Sequence, residues 1–334
     1  MEHCGIDLAL KSSSVCITDR DGKVLVEAVV ATGVEGLGSV LGGRRRLCCL
    51  LEASPLAEWV AELVEGLGHE AVVIDTRKAA GVIRTKKKTD KLDARNLAKM
   101  SRTGWYTAVH RKSAEARRLR TFLQARHGLV ETAQAHGARI RGLLRAHGMR
   151  LGHVAQSQYG ATVKRLTLEK APQLWPVLEA LIKVREVAME AAARMKSELA
   201  AASLEDPLRS RLMKVSGVGP ITVTAYVATI DDPRRFRRGD QVAAYLGLVP
   251  SVNQSGELDR HGHITRDGDS LLRSYLFEAA HVLLTRARGS SAIQRWGRRL
   301  ARKKGYGKAK VAVARKLAVL LHHLWLTGEN YRAA

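Results

Sequence analysis

The stretches Cys4-Gly5-Ile6-Asp7-Leu8-Ala9, Val15-Cys16-Ile17-Thr18 and Val24-Leu25-Val26-Glu27-Ala28-Val29-Val30 decide the fold. Each is a short run rich in β-forming residues, and Asp21-Gly22 between the second and third is a strong hairpin signal. They predict three antiparallel strands. Leu47–Ala53 follows as a near-continuous apolar strand, Leu56–Leu67 has helical spacing with Gly68 after it, and Ala71–Asp75 is another buried strand. Thr89 is placed to cap a helical pattern that runs through Leu92, Leu97 and Met100 and stops at Gly104.

Three antiparallel strands followed by strand, helix and strand is the order of an α/β ribonuclease H-like domain, expected over residues 1–104. Within it, Asp7 sits between Ile6 and Leu8, where an isolated acid is costly to bury unless it binds something. Glu52 ends the other buried strand, and adjacent central strands would bring the two carboxylates together. Asp90 and Asp93 are three apart, so on a helix both point to one face. Four convergent carboxylates cannot all stay ionised without cations, which points to Mg²⁺. Two such ions would serve an in-line phosphoryl displacement. Lys86, Lys87 and Lys88 would add positive charge where a scissile phosphate approaches; a solvated charge run is the alternative.

Downstream, Ser113 to about His147 and Gln173 to about Leu204 show apolar residues at three- and four-residue spacing, predicting two long helices in a segment spanning 105–204. Such a pair packs as an antiparallel or intermolecular coiled coil. Arg117, Arg118, Arg120, Arg126, Arg139, Arg141 and Arg145 crowd the first helix, and their number favours phosphate contact over a merely solvated face. Residues 205–334 read as a mainly α domain. Leu212 to Ile221 has the form of a helix-hairpin-helix, in which the Gly217-Val218-Gly219 turn would let backbone amides approach a phosphate; a tight interhelical turn is the alternative. Val242–Val249 is strand-like, Pro250–Gly268 is a polar loop, and Ser270–Arg286 and Lys308–Trp325 are helical, with a strongly basic tail over Arg298–Lys304 and Lys308–Lys316.

The 334 residues carry a formal charge of +24, with 46% hydrophobic and 26% charged side chains, so the chain buries real cores and seeks a polyanion. Residues 1–80 are net −4 and the remainder net +28, so the acidic first domain is suited to a metal and the basic remainder to a nucleic-acid backbone. Aromatics are only 4%, too few for a base-stacking platform. Cys4, Cys16, Cys48 and Cys49 lack zinc-site spacing and read as reduced core residues. No apolar run approaches membrane-spanning length and no signal peptide opens the chain, so a soluble, cytoplasmic protein is expected.

In the polar loop, Ser255 beside Gly256 reads on physical grounds as a turn residue. His261 and His263 share that loop with no third metal ligand, and phosphate or solvent contact is the better reading for them. The ordered set nevertheless resembles a known family. Gly5-Ile6-Asp7, Leu51-Glu52-Ala53, Thr89-Asp90-Lys91-Leu92-Asp93-Ala94, Gly217-Val218-Gly219-Pro220, then Gly247-Leu248-Val249-Pro250, Ser255-Gly256, Arg266-Asp267-Gly268-Asp269 and Leu272-Arg273 look like the DEDD transposases of the insertion sequence 110 family, which also holds the Piv-type DNA invertases.

That resemblance implies a RuvC-like N-terminal domain, a coiled-coil middle and a C-terminal transposase domain. It implies a homodimer or homotetramer that recombines donor and target DNA under a guide (bridge) RNA, in the nucleoid of a prokaryote. Carried over by position, Asp7, Glu52, Asp90 and Asp93 are the Mg²⁺-binding tetrad, and Ser255 is the nucleophile of a transient phosphoserine link. The family often has two serines before the glycine, whereas here Gln254 precedes Ser255. Gly217, Gly219, His261, Arg266 and Arg273, with Lys86–Lys88 and the arginines of the first long helix, are the expected nucleic-acid contacts. Two rival readings are a RuvC-like nuclease that uses water and a non-enzymatic architectural protein that binds nucleic acid.

Overall fold

A computed structural model describes residues 2–75, 90–255, 258–287 and 291–332, with the side chains of 252–261 outside the description. Lys86, Lys87 and Lys88, and Thr89, expected to cap the helix, lie outside the described residues. The chain divides into two compact units, Met1–Lys112 and Ser113–Ala334.

The first unit is built on a five-stranded sheet of β1 (Glu2–Leu8), β2 (Ser12–Thr18), β3 (Val24–Ala31), β4 (Leu47–Glu52) and β5 (Glu70–Ile74), in the order β3-β2-β1-β4-β5. β1, β2 and β3 pair antiparallel, while β4 and β5 run parallel to β1. This is the ribonuclease H-like arrangement that the sequence order implies. Side chains alternate across a strand, so each strand feeds two layers. Cys4, Ile6, Cys49 and Leu51 pack with α1 (Val34–Leu41) and α2 (Ala57–Gly66) on one face. On the other, Cys48, Leu50 and Ile74 pack with Leu97 and Met100 of α3 (Asp90–Thr103). α1 is not evident from sequence, because two glycines interrupt its apolar spacing, but Leu37 and Leu41 anchor it in the core.

The second unit opens on α4 (Ala114–Ala146), with Ser113 as its N-cap. After α5 (Tyr159–Lys170), α6 (Trp175–Glu205) returns along α4. One end of this antiparallel pair closes over α5 through Ile140, Leu144, Tyr159, Val163, Leu178 and Ile182. At the other end, Leu123 and Leu199 enter the main core of the unit. That core also holds α7 (Pro207–Leu212), α8 (Pro220–Ile230), α9 (Gly239–Tyr245), α10 (Ser270–Thr285) and α12 (Tyr306–Thr327), with α11 (Ala292–Lys304) against α12. Two expectations are corrected. The strand-like Val242–Val249 begins inside helix α9, because Val242 and Leu246 are core contacts one helical turn apart. The polar loop Pro250–Gly268 contains an antiparallel hairpin, β6 (Pro250–Ser255) with β7 (Leu258–Ile264). Among the described residues no helix is long and apolar enough to cross a membrane.

Candidate active site and nucleic-acid interface

The parallel register of β1 on β4 pairs Gly5 with Leu50 and Ile6 with Leu51. One step further along both strands stand Asp7 and Glu52, at matched positions on the face shared with α3. Asp7 is half-buried and Glu52 exposed. α3 crosses this face antiparallel to β1. Near its C-terminus the Ser101 hydroxyl bonds His3 Nδ1 at 3.0 Å and donates to the Cys48 carbonyl at 3.0 Å. In the middle, Gly5 lies so close that a Cβ there would collide with the Ala94 carbonyl and the Ala98 amide. The next step back along the helix is its first turn, which carries Asp90, exposed, and Asp93, half-buried. The backbone therefore directs all four carboxylates to one end of the sheet. A donor set of four carboxylates, without thiolate or imidazole, suits a hard divalent cation such as Mg²⁺. As the side chains stand, no three His, Cys, Asp or Glu among the described residues are gathered closely enough to hold an ion.

Burial favours the thiol form of Cys4, Cys16 and Cys48 in this sheet. All four are free and buried. A hydrogen bond with Cys49 and burial push the Cys4 thiol well above its ordinary value, and burial raises those of Cys16 and Cys48.

Ser255 is the last residue of β6 and faces Leu258 in the hairpin register. The base of this hairpin is fastened to the second unit. Gly247, at φ 63°, and Gly268, at φ 75°, both take backbone conformations suited to glycine. A Cβ on Gly247 would strike Asp267, and one on Gly268 would strike the Tyr245 carbonyl. Thr265 and Arg266 donate backbone bonds to the carbonyls of Val249 and Gly247 at 2.9 and 3.2 Å. Arg273 Nη1 donates to the carbonyls of Asp267 at 2.5 Å and Leu246 at 3.2 Å. Asp269 caps α10 by accepting from the Leu272 amide at 2.7 Å, and its other oxygen accepts from Arg120 Nη1 at 2.6 Å.

The arginines singled out in the sequence are therefore occupied to different degrees. Arg120 and Arg273 brace the hairpin base, and Arg141 donates to the Leu151 and Gly152 carbonyls at 2.5 and 3.1 Å. Arg118 forms a two-bonded pair with Glu115 at 2.7 and 2.8 Å, although both remain exposed. Arg139 and Arg266 are exposed, and Arg117 is half-buried. His261 contributes only its backbone to β7 in the description. Gly217, at φ 88°, presses on α10, where a Cβ would meet the Ala279 carbonyl, so its glycine serves internal packing. At Gly219, the N-cap of α8, a Cβ would enter open space. The braces at Arg120, Asp269 and Arg273 escape a sequence reading because their partners are carbonyls and side chains distant along the chain.

Residues 4–149 match the DEDD model of IS110 elements, described as a transposase, and residues 209–304 match the model described as the transposase IS116/IS110/IS902 family. The chain is 27% identical over 334 residues to the transposase for insertion sequence element IS1111A of Coxiella burnetii, spanning 98% of this chain and 90% of that protein. It is 32% identical over 281 residues to a probable family 20 transposase of Pseudomonas aeruginosa, spanning 82% of each. A putative transposase of Sinorhizobium fredii is 29% identical over 289 residues, or 85% of this chain and 74% of that protein. A ribonuclease H-like sheet with acids at matched strand ends, both family matches and relatives of nearly full length lead to one assignment: the chain belongs to the IS110 family of DEDD insertion-sequence transposases.

Proposed function

We propose that the protein recombines donor and target DNA through a transient phosphoserine link, with Asp7, Glu52, Asp90 and Asp93 as the divalent-metal ligands and Ser255 as the nucleophile. The observation that carries this reading is the placement of Asp7 and Glu52 at matched ends of neighbouring parallel strands, on the face crossed by the helix that bears Asp90 and Asp93. Bound Mg²⁺ would neutralise charge on the scissile phosphate and favour ionisation of the attacking hydroxyl.

Ser255 Oγ attacks phosphorus in line, a P–Oγ bond forms as the bond to the deoxyribose oxygen breaks, and that oxygen leaves as a hydroxyl after taking up a proton. A hydroxyl from the exchanged strand then reverses the step. It releases Ser255 with its proton restored, and the phosphodiester is conserved without ATP. Residues 1–104 would supply the metal site, 105–204 a coiled-coil arm, and 205–334 the serine and a helix-hairpin-helix. Lys86, Lys87, Lys88, Arg117, Arg139, Arg266 and His261 would approach phosphates. A bridge RNA fits a basic chain short of aromatics, because base pairing then reads sequence while the protein holds backbone. A homodimer or homotetramer would bring the strands of both partners together.

Asp7→Asn and Glu52→Gln are expected to lower Mg²⁺-dependent strand transfer by at least about 100-fold, more than the loss of an outer-shell partner at a metal site. Binding of the DNA, measured separately, should change little. Strand transfer undiminished in both variants would reject the tetrad.

A further inference from the structure

We infer that Arg266 grips a phosphodiester of a nucleic acid from the base of the β6–β7 hairpin, and that the chain keeps an arginine there at a cost in backbone strain. The inference rests on the reading of the protein as a nucleic-acid recombinase and deepens it at one residue, but it requires neither the chemistry of Ser255 nor a bound metal.

Among the described residues, two that are not glycine have positive φ, Asp231 at 66° and Arg266 at 60°. In this left-handed region an L side chain crowds its own backbone, a cost that glycine escapes and that asparagine and aspartate bear most easily. Asp231 is of a tolerant type and serves the fold. Its carboxylate accepts from the Ser113 amide at 2.9 Å and from the Ser113 hydroxyl at 2.6 Å, which ties the start of α4 to the end of α8. Arg266 has neither justification. Its side chain is exposed and makes no hydrogen bond, ion pair or ring contact with the described residues.

The backbone on both sides of Arg266 is fastened, so the strain has no local outlet. The Arg266 amide donates to the Gly247 carbonyl at 3.2 Å, and the Thr265 amide to that of Val249 at 2.9 Å. Just after it, the Asp267 carbonyl accepts from Arg273 Nη1 at 2.5 Å. Gly247 sits so near that a Cβ there would come within 2.8 Å of the Arg266 carbonyl carbon. Surroundings that over-determine a strained conformation, at an exposed position where glycine would cost less, mark a side chain kept for something outside the fold.

The chemistry of the side chain names the class of ligand. A guanidinium offers five donors in a planar fork that matches the oxygens of a phosphate. Arg266 also stands in the part of the chain that is net +28, which favours a polyanion. β6 runs five residue steps from Pro250 to Ser255, about 17 Å at 3.4 Å per step, and Arg266 lies past the Ile264 that pairs with Pro250. The two residues therefore stand at opposite ends of the hairpin, and within one chain they do not meet on one phosphate. Arg266 fixes where the strand lies, as phosphate contacts do, while Ser255 acts elsewhere along it.

The test uses the full-length chain in EDTA, so that no cleavage intervenes, with a short duplex DNA and a short stem-loop RNA across a salt series. Arg266→Gly and Arg266→Asn remove the guanidinium and suit a positive φ, whereas Arg266→Lys keeps the charge. The Gly and Asn variants should melt no lower than the wild type. They should nevertheless bind at least about fivefold more weakly at about 0.1 M salt, with a duplex salt slope smaller in magnitude by about 0.9, the loss of one phosphate contact. Arg266→Lys should retain the wild-type slope. Loss on DNA alone, on RNA alone or on both supports the grip and names its source. Three results overturn it: affinity and slope unchanged in both the Gly and Asn variants, melting lowered in both, which would assign the arginine to the fold, or a slope that falls as far in Arg266→Lys. Failure here would leave the phosphoserine adduct untouched, and failure of the adduct to form would leave these binding results standing.

Discussion

Gly5 shows how one side chain, or its lack, sets the site. α3 can approach β1 only because no Cβ stands between the strand and the Ala94 carbonyl, and this approach brings the first turn of α3 towards Asp7 and Glu52. Gly5→Ala should therefore destabilise the first unit by about 1–3 kcal/mol, the usual cost of overpacking a rigid core. Chemical denaturation will measure this, and strand transfer should fall even where the protein remains folded. The cysteines offer a second check at the same scale. With the thiols of Cys4, Cys16 and Cys48 raised by burial or by the Cys49 hydrogen bond, thiolate is scarce near neutral pH. Labelling of these three by a maleimide should be slow in the native protein and fast in denaturant. Rapid native labelling of Cys4 would mean that the sheet opens.

Among the elements, the β6–β7 hairpin depends most on distant support. Asp269 joins the cap of α10 to Arg120 of α4, with side chains only 14% and 31% exposed. Asp269→Ala should cost about 2–4 kcal/mol by removing a cap and leaving a half-buried guanidinium without its carboxylate. A double-mutant cycle with Arg120→Met should recover part of this loss; strict additivity would show that the pair does not couple. How legible each element was in the sequence follows the same physics. β3 and the two long helices are readable because one buried face enforces a period of 2 or 3.6, whereas β2 and β4 are readable as short β-rich runs covered on both faces. α9 reads as a strand because Val242–Val249 is a nearly continuous apolar run, while the core selects only Val242, Ala243 and Leu246 along a helical turn and Leu248 after it. The β6–β7 hairpin reads as a loop because its residues are polar and show no alternation. The Asp7 and Glu52 pairing was readable from strand order, whereas the roles of Arg120, Arg141 and Arg273 lie in tertiary partners that no local pattern reveals.

For the whole molecule, the surplus charge has a distinct distribution. Residues 1–80 are net −4 and contribute Asp7 and Glu52, while the remainder is net +28 and contains the acid-free stretch 279–328. The minority charges thus mark the proposed chemistry and the majority charges the proposed grip on nucleic acid. Family matches over 4–149 and 209–304 include both the carboxylate-bearing sheet and the region of Ser255. The covalent step is the claim that separates a recombinase from a nuclease using water. The decisive measurement incubates the protein with Mg²⁺, the proposed guide RNA and end-labelled DNA, then denatures the mixture and separates protein-linked label from free DNA. A denaturation-resistant adduct on the wild type, absent from Ser255→Ala and traced by peptide mapping to Ser255, is the predicted result; DNA cleavage that persists in Ser255→Ala, with no adduct on the wild type, would contradict it.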